Sequence, residues 1–249
     1  MQSSIPKIGA ITIGQAPRDD IMKVMTPHLP AGLQVLQRGA LDDLDPSAIA
    51  GLRAEIEFVH DKGARQDNHD GAIEYEVLVS RLRDGSEAMM THNQVVPLMQ
   101  EKINALEADG VEIIVLLCGG DFPELCSNKI ILHPGKLLRG AVESVAFGSK
   151  LGIVMPSDAQ VTAAQSDAKD RWGARDVHVT FGSPYLPMAA LDSEWKRVGQ
   201  EMSTNNVDIV FLNCMGMDEQ MKAIVRKTTS KPVLLLSSVL ARTLAELIN

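Results

Sequence analysis

Two stretches of this 249-residue chain repeat each other closely, and this repeat restricts the possible fold more than any single motif. The segment VEIIVLLCGG (111–120) aligns without a gap on VDIVFLNCMG (207–216), with Cys opposite Cys. Two further pairs of segments align in the same order: 130–145 with 233–248, and 8–14 with 151–157. Apolar strands of parallel sheets resemble one another in many proteins, but a gapless match of two cysteines favours a true repeat. We therefore predict two similar halves, each with the order strand, helix, strand ending in Cys, strand, helix.

The apolar segments are short, are bounded by Gly, Pro or Ser, and alternate with segments of helical periodicity. The predicted strands are 7–14, 111–118, 129–133, 151–156, 207–214 and 231–236. The predicted helices are 17–29, 95–108, 134–146 and 237–248. The strands are continuously apolar rather than alternating, which indicates burial on both faces. Such strands separated by helices predict the α/β class with parallel sheets.

The region from about 40 to 92 differs from the rest because it is more charged. Within it, EVLVSRL, RDG and SEAMM predict a β-hairpin with its turn at Asp84 and Gly85. We interpret the region as an insertion in the first half, which could cover an active site, contact another subunit or be a plain surface excursion. The predicted domains are 1–133 together with 237–249, and 134–236.

Composition excludes several classes of function. The net charge is −8, and an acidic chain gains nothing from a phosphate backbone, so nucleic acid is not an expected partner. No apolar run approaches the roughly 20 residues that span a bilayer, and the N-terminal MQSSIPKIGAITIG lacks the features of a signal peptide. Three cysteines do not suggest a disulfide framework. We expect a soluble cytoplasmic protein.

The repeat places Cys118 and Cys214 at the carboxyl ends of predicted parallel strands, where open α/β sheets bind ligands. If the halves face each other about a pseudo-two-fold axis, the thiols lie on opposite sides of a cleft. A carbon acid between them could lose a proton to one thiolate and gain one from the other thiol, which inverts a stereocentre. Helix N-termini and nearby donors can lower a cysteine pKa from its free value of about 8.5, which suits this chemistry.

The residues that follow each cysteine suit the binding of a carboxylate and of the enolate-like charge that develops on it. The candidates for such backbone N–H contacts are Gly119, Gly120, Met215 and Gly216. The alternative is that both cysteines are simply small buried apolar residues. Cys126 has no counterpart in the repeat, and we interpret it as structural.

Five segments resemble the AroM protein family: ITIGQAPRDD, LVSRLRDG, IIVLLCGGDF, FLNCMGMD and SSVLARTLAELI. The resemblance extends over essentially the whole chain, and GQAPR and SRLRDG are its more specific motifs. That family lies within the Asp/Glu racemase superfamily. The resemblance implies two flavodoxin-like domains with the active site between them, no metal or organic cofactor, and a homo-oligomer of two or more copies.

The sequence also departs from the pattern of the amino-acid racemases. Those enzymes usually carry Cys-Asn-Thr at the first site and Cys-Thr-His at the second, whereas here Gly-Gly-Asp follows Cys118 and Met-Gly-Met follows Cys214. Asp121 and Asn213 could replace part of the missing polar groups. Aspartate and glutamate are therefore doubtful substrates, while proton transfer at another carbon acid is still expected.

The superfamily binds a carboxylate in the loop after the first strand, which here is GQAPR (14–18). Arg18 could hold a carboxylate through two hydrogen bonds, or it could be a solvated charge in the first helical turn. Gly14 and Gln15 are expected to offer backbone and amide contacts. Ser237 and Ser238 begin the last predicted helix, where capping of its N-terminus is favoured over contact with substrate.

Other kinds of site find little support. None of the six histidines has metal-ligand spacing with another His or Cys, and the Asp-Asn-His-Asp segment 67–70 is interpreted as a polar loop. The chain lacks a phosphate-binding loop, a dinucleotide fingerprint and a G-x-S-x-G nucleophile elbow.

Together these features predict a racemase or epimerase that acts on a small carboxylate, either an amino acid or a related carbon acid. Cys118 and Cys214 would alternate as general base and general acid, without a cofactor. A cis–trans isomerase or a decarboxylase that uses one cysteine in the same site is a close variant. A regulatory protein that binds a small carboxylate without turnover is the alternative from another class.

Overall fold

Two four-stranded parallel sheets and their helices form the computed structural model, which describes residues 7–61 and 77–248. The first half contains β1 (Lys7–Thr12), α1 (Asp19–Met25), β2 (Gln34–Gly39), α2 (Pro46–Asp61), β3 (Val77–Arg81), β4 (Glu87–Thr91), α3 (His92–Ala108), β5 (Ile113–Leu116), β6 (Ile130–Leu132) and α4 (Pro134–Ala146). The second half contains β7 (Lys150–Met155), α5 (Val161–Trp172), β8 (Asp176–Phe181), α6 (Met188–Thr204), β9 (Ile209–Leu212), α7 (Glu219–Thr229), β10 (Val233–Leu235) and α8 (Leu236–Ile248).

The two sheets have the same strand order. In the first, β2, β1, β5 and β6 lie side by side, and in the second β8, β7, β9 and β10 do so, with every pair parallel. Ile8 pairs with Ile113 in one sheet, as Leu151 pairs with Ile209 in the other. The predicted α/β class with two parallel-sheet domains is confirmed. Because β5 and β9 are inner strands, the residues after them lie near the middle of each carboxyl edge.

The sequence analysis missed the outer strands β2 and β8 and the helices α2, α5, α6 and α7. The two strands read QVLQRG and DVHVTF, which mix polar with apolar residues. Each lies at the edge of its sheet and pairs on one side only. Their polar residues interrupt the apolar run, so they give no continuous signal, whereas the edge strands β6 and β10 are apolar and were predicted.

The first helix is shorter than predicted. Residues 17–29 were expected to be helical, but α1 begins at Asp19 and ends at Met25. Arg18 precedes it with φ −110° and ψ 66°, outside the helical region, because its side chain turns into the protein interior. A 3-10 turn follows from Thr26 to His28, since Pro27 has no N–H with which to continue an α-helix.

The largest apolar core belongs to both halves. Leu138 and Val142 of α4 and Leu240 and Leu244 of α8 are fully buried in one cluster with residues of both sheets. Helix α4 lies beside α5, and α8 lies beside α1 as well as α4. Helices α4 and α8 therefore pack between the two halves and connect their cores. The division into 1–133 with 237–249 and 134–236 stays a prediction.

The predicted hairpin is present. Strands β3 and β4 pair antiparallel from Val77 opposite Thr91 to Arg81 opposite Glu87. The turn between them is closed by hydrogen bonds from the Ser86 backbone N–H and hydroxyl to Asp84. The hairpin is thus an ordered unit within the region 40–92, of which residues 62–76 lie outside the described residues.

Candidate functional site

The loops after β5 and β9 meet at the boundary between the sheets. Cys118 and Cys214 each lie two residues past the end of their strand. A Cβ atom built on Gly119 would be 2.9 Å from Leu236 Cδ1 and 3.1 Å from Asn213 Oδ1. The residue after the first cysteine therefore packs against the residue before the second. The expectation that the two thiols face each other across a cleft stays a prediction, as do the roles of the cysteines.

Cys214 is the more enclosed of the two thiols. It is 9% exposed, whereas Cys118 is half-buried. Its Sγ accepts a hydrogen bond from the Gly216 N–H at 3.4 Å and lies 4.0 Å from the Tyr185 hydroxyl. Burial raises the pKa of the Cys214 thiol above its ordinary value, although the Gly216 N–H, the Arg18 charge and Tyr185 oppose this. The sequence left the resting protonation of both thiols open, and for Cys214 burial favours the neutral thiol.

Tyr185 connects Cys214 to Arg18. The Arg18 Nη2 donates to the Tyr185 hydroxyl at 3.3 Å, and the guanidinium carbon lies 5.7 Å from the centre of the phenol ring. Burial and the neighbouring Cys214 raise the pKa of Tyr185 well above its ordinary value, and Arg18 opposes the shift. The phenol is therefore protonated, and it remains able to donate a hydrogen bond.

Arg18 is buried rather than solvated, with 3% of its surface exposed. Its guanidinium bonds to four side chains: Asp20 (2.9 and 2.7 Å), Ser80 (3.1 Å), Thr12 (3.3 Å) and Tyr185 (3.3 Å). These bonds engage all five N–H groups of the guanidinium. The alternative of a solvated charge is wrong. Binding of a substrate carboxylate by Arg18 stays a prediction, and it requires one of these partners to leave.

Asp20 balances the buried charge of Arg18. Burial alone would raise the pKa of this carboxyl, but the hydrogen bonds and charge of Arg18 outweigh that effect and lower it. In turn, Asp20 and Tyr185 keep the pKa of Arg18 above its ordinary value despite burial. The pair is therefore ionised throughout the physiological range.

The two more specific family motifs, GQAPR and SRLRDG, contact each other directly. A Cβ on Gly14 would be 2.4 Å from Ser80 Oγ and 2.8 Å from the Arg81 carbonyl, so only glycine permits this approach. The Arg83 side chain donates to the Ala16 carbonyl at 2.6 Å. Each motif therefore holds the other in place.

Gln15 takes part in the same junction. Its Oε1 accepts from the Arg83 N–H at 3.1 Å, and its Nε2 donates to the Leu41 carbonyl at 3.3 Å. Both ends of the Gln15 amide thus have protein partners. Substrate contacts by Gly14 and Gln15 stay predictions, while their contacts to the hairpin are plain in the structure.

The hairpin also touches the second half. Gln160 Nε2 donates to the Val77 carbonyl at 2.9 Å, and Ser183 Oγ donates to Glu87 at 2.9 Å. The same Ser183 hydroxyl accepts the Tyr185 N–H at 3.2 Å. The hairpin therefore contacts both halves beside the Arg18 and Tyr185 pair, and its role as a cover or as a subunit contact stays a prediction.

Asp121 and Asn213 have partners within the protein. Asp121 Oδ2 accepts from Arg139 at 3.2 Å and from Arg171 at 3.1 Å, while its buried Oδ1 has no hydrogen bond. Asn213 Nδ2 lies 3.5 Å from the Met155 sulfur. Their proposed replacement of racemase side chains stays a prediction.

Ser237 and Ser238 do not cap α8. The helix begins at Leu236, before both serines. Ser237 Oγ donates to the Met217 carbonyl at 3.3 Å, and Ser238 Oγ donates to Glu219 at 2.5 Å. The capping expectation is wrong because β10 runs directly into the helix, which leaves the serines in its first turn facing α7. Met215 is buried in the apolar core, and substrate contacts by Met215 and Ser237 stay predictions.

Four side chains of this arrangement were missed: Thr12, Asp20, Ser80 and Tyr185. Thr12, Asp20 and Ser80 lie inside segments that the family resemblance includes, so the motifs could have suggested them. Tyr185 lies in the loop between β8 and α6, outside the repeat and outside every recognised motif. Nothing local in the sequence indicates its contact with Cys214.

Residues 7–61 and 77–248 contain no group of three or more His, Cys, Asp or Glu side chains arranged to hold a metal ion. The polar segment 67–70 lies outside these ranges. No helix of the same ranges is long and apolar enough to cross a membrane.

Comparison with known proteins identifies one family. The model of the AroM protein family matches residues 8–58 and 62–248. No curated protein sequence matches the chain.

Several solved structures share the fold over nearly the whole chain. An aspartate racemase from Picrophilus torridus is 16% identical with a TM-score of 0.58, covering 97% of this chain and 94% of its own. An allantoin racemase from Klebsiella pneumoniae is 13% identical with a TM-score of 0.59, covering 98% and 87%. A liganded mutant of arylmalonate decarboxylase is 11% identical with a TM-score of 0.57, covering 98% and 92%. At these identities the likeness establishes the fold alone.

Proposed function

Because this chain belongs to the AroM protein family, whose model it matches over nearly its full length, we propose that it is a cofactor-independent isomerase of small carboxylates. Cys118 and Cys214 transfer a proton at the carbon next to the carboxylate, one on each face. The substrate is an amino acid or a related carbon acid. Racemases among the proteins of the same fold support this class of reaction.

The observation that carries the proposal is the meeting of the two cysteine loops. Gly119 packs against Asn213, so the residues beside the two thiols share one boundary. A reaction that removes a proton from one face and returns it to the other needs two groups in this relation. The N–H groups near Gly119, Gly120 and Met215 are the proposed partners of the carboxylate.

The two thiols take different first roles in this proposal. Burial raises the pKa of Cys214 and favours its neutral thiol, so we assign Cys214 the role of first acid. We assign Cys118, which is half-buried, the role of base. In the forward direction the C–H electron pair moves into the enolate as Cys118 takes the proton. The enolate carbon then takes the Cys214 proton, which leaves that sulfur as a thiolate.

A decarboxylase is the second candidate, and the neutral state of Cys214 favours it. In that reaction the bond to one carboxylate breaks, CO₂ leaves, and the remaining electron pair forms an enediolate. Cys214 then protonates the carbon. This path uses one thiol as a proton donor and needs no base, and an arylmalonate decarboxylase is among the proteins of the same fold.

The test is proton exchange in D₂O, followed by NMR. A panel of 2-amino acids, 2-hydroxy acids and 2-substituted malonates is incubated with the wild type and with the Cys118→Ala, Cys214→Ala and Cys126→Ala variants. Cys126 is exposed and is the matched control, so its loss is expected to change nothing. An isomerase loses turnover in both site variants. A decarboxylase loses it only with Cys214→Ala. Saturable binding of a panel member without exchange or CO₂ release identifies a binding protein and refutes both proposals.

A further inference from the structure

We propose that Tyr185, oriented by Arg18, is the positioning residue that donates a hydrogen bond to Cys214 and so stabilises the thiolate that remains when Cys214 gives up its proton. This inference rests on the proposed function, because it assigns a role within the same reaction. It concerns the surroundings of one thiol, so it can be tested without a substrate.

The hydrogen bond from Arg18 leaves the phenol proton of Tyr185 available for another acceptor. A guanidinium has no acceptor, so Arg18 Nη2 must donate to the Tyr185 oxygen at 3.3 Å. The phenol proton is then free for another acceptor, and the Cys214 sulfur lies 4.0 Å away. Tyr185 is therefore arranged to donate toward the sulfur.

The same contact serves both protonation states of Cys214. As a thiol, Cys214 can donate to the second lone pair of the Tyr185 oxygen, or accept from its hydroxyl. As a thiolate, it accepts from Tyr185 and from the Gly216 N–H at 3.4 Å. Neither state requires movement of the backbone. Proton donation by Cys214 then leaves a charge that already has two donors in place.

Among the described residues, the Gly216 N–H, the Arg18 charge and the Tyr185 hydroxyl favour the thiolate of Cys214, in decreasing order of effect. Asp20, which pairs with Arg18, opposes them least. Tyr185 is thus one of three groups that favour the thiolate. It is the one whose contribution a substitution can remove without deleting a charge or altering the backbone beside the sulfur.

The chain holds Tyr185 in this position tightly. A Cβ on Gly216 would be 2.6 Å from the Tyr185 oxygen and 2.7 Å from Cε1, so any larger residue there displaces the phenol. From the other side, Ser183 accepts the Tyr185 N–H, and its own hydroxyl donates to Glu87 of the hairpin. A positioning residue must keep its hydroxyl at a fixed place beside the sulfur, and these contacts on both sides of Tyr185 do so.

The test is alkylation of the native protein by iodoacetamide from pH 6 to 10.5, with each cysteine followed by mass spectrometry. The midpoint of the rate profile reports the pKa of a thiol, and the high-pH plateau reports access. In Tyr185→Phe, the Cys214 midpoint is expected to rise by about 1 pH unit, a tenfold loss of thiolate at fixed pH. Cys118 and Cys126 in the same sample are the internal controls, and their midpoints stay unchanged.

Gly216→Ala is the second variant, because it displaces the phenol without removing its hydroxyl, and it is expected to raise the same midpoint. An unchanged Cys214 midpoint in Tyr185→Phe, or an equal shift of all three thiols, overturns the proposal. Kinetics on an active panel member add a further check: Tyr185→Phe lowers kcat at least fivefold and leaves KM within twofold.

The two proposals fail separately. A shifted Cys214 midpoint in a protein that exchanges no panel member supports the link from Tyr185 to Cys214 and counts against the isomerase. Proton exchange in the wild type, with the midpoint and kcat unchanged in Tyr185→Phe, supports the isomerase and refutes the role of Tyr185.

Discussion

Replacement of Gly14 by alanine tests whether the contact between the GQAPR loop and the hairpin stabilises the fold. The new Cβ would lie 2.4 Å from Ser80 Oγ and 2.8 Å from the Arg81 carbonyl. The carbonyl belongs to the backbone of β3, so a side-chain rotation cannot relieve the overlap. The hairpin must retreat by about 1 Å to restore an ordinary contact.

That retreat also stretches the bond from Arg18 Nη1 to Ser80, which is 3.1 Å long. Overpacking costs about 1–3 kcal/mol, and a hydrogen bond from a charged donor contributes about 1.5–3 kcal/mol. Part of the second loss is regained if water reaches Arg18. We expect the free energy of unfolding of Gly14→Ala to fall by about 2–4 kcal/mol, which lowers Tm by roughly 4–16 °C for a chain of this length.

Gly140→Ala is the matched control. Gly140 lies within α4, and a Cβ there meets nothing within 4 Å. The same substitution should therefore stabilise the protein by roughly 0.5–1 kcal/mol. Both variants are compared with the wild type by urea unfolding and by thermal melting. A free energy of unfolding for Gly14→Ala within about 0.5 kcal/mol of the wild-type value would refute the reasoning.

Two further predictions concern charge and pH. Asp20→Asn leaves the buried Arg18 without its carboxylate and should lower the free energy of unfolding by about 3 kcal/mol. The control Asp192→Asn breaks an exposed pair with Lys196 and should change that free energy by less than about 0.5 kcal/mol. Equal losses for the two variants in urea unfolding would contradict this prediction. Burial raises the pKa of Cys214, so at alkaline pH the native state keeps a proton that the unfolded chain releases. The stabilisation of the native state by this proton is complete below the unfolded pKa of about 8.5, and it is lost as pH rises through the folded pKa. Between pH 8 and 10 the stability of Cys214→Ala should therefore decline less steeply than that of the wild type, by up to about 1.4 kcal/mol per pH unit, and parallel curves would count against a buried neutral thiol.

The sequence alone predicts the parts of this fold that rely on enclosed apolar strands. Strands β5 and β9 are buried at every position, so their sequences are continuously apolar and align with each other. The cysteines follow at the same offset, which is why the repeat locates both. Strands β2 and β8 mix polar with apolar residues, and this composition hides them.

The candidate site is less predictable, because its contacts join distant parts of the chain. Arg18 bonds to Ser80 and to Tyr185, which are 62 and 167 residues away in sequence. Burial of a charge at position 18 depends on those partners and not on the adjacent residues, so an isolated arginine before a helix gives no sign of it. The raised pKa of the Cys214 thiol likewise follows from tertiary burial rather than from its sequence context.

Neither half of the molecule has a complete hydrophobic core of its own. Helix α4 follows the last strand of the first sheet yet lies beside α5, and α8 follows the last strand of the second sheet and lies beside α1. A polypeptide that stopped after α4 would expose Leu138 and Val142 to water, and two such polypeptides could bury these residues by domain swapping of that helix. In the intact chain both halves belong to one polypeptide. The exchange of helices between them therefore does not depend on protein concentration.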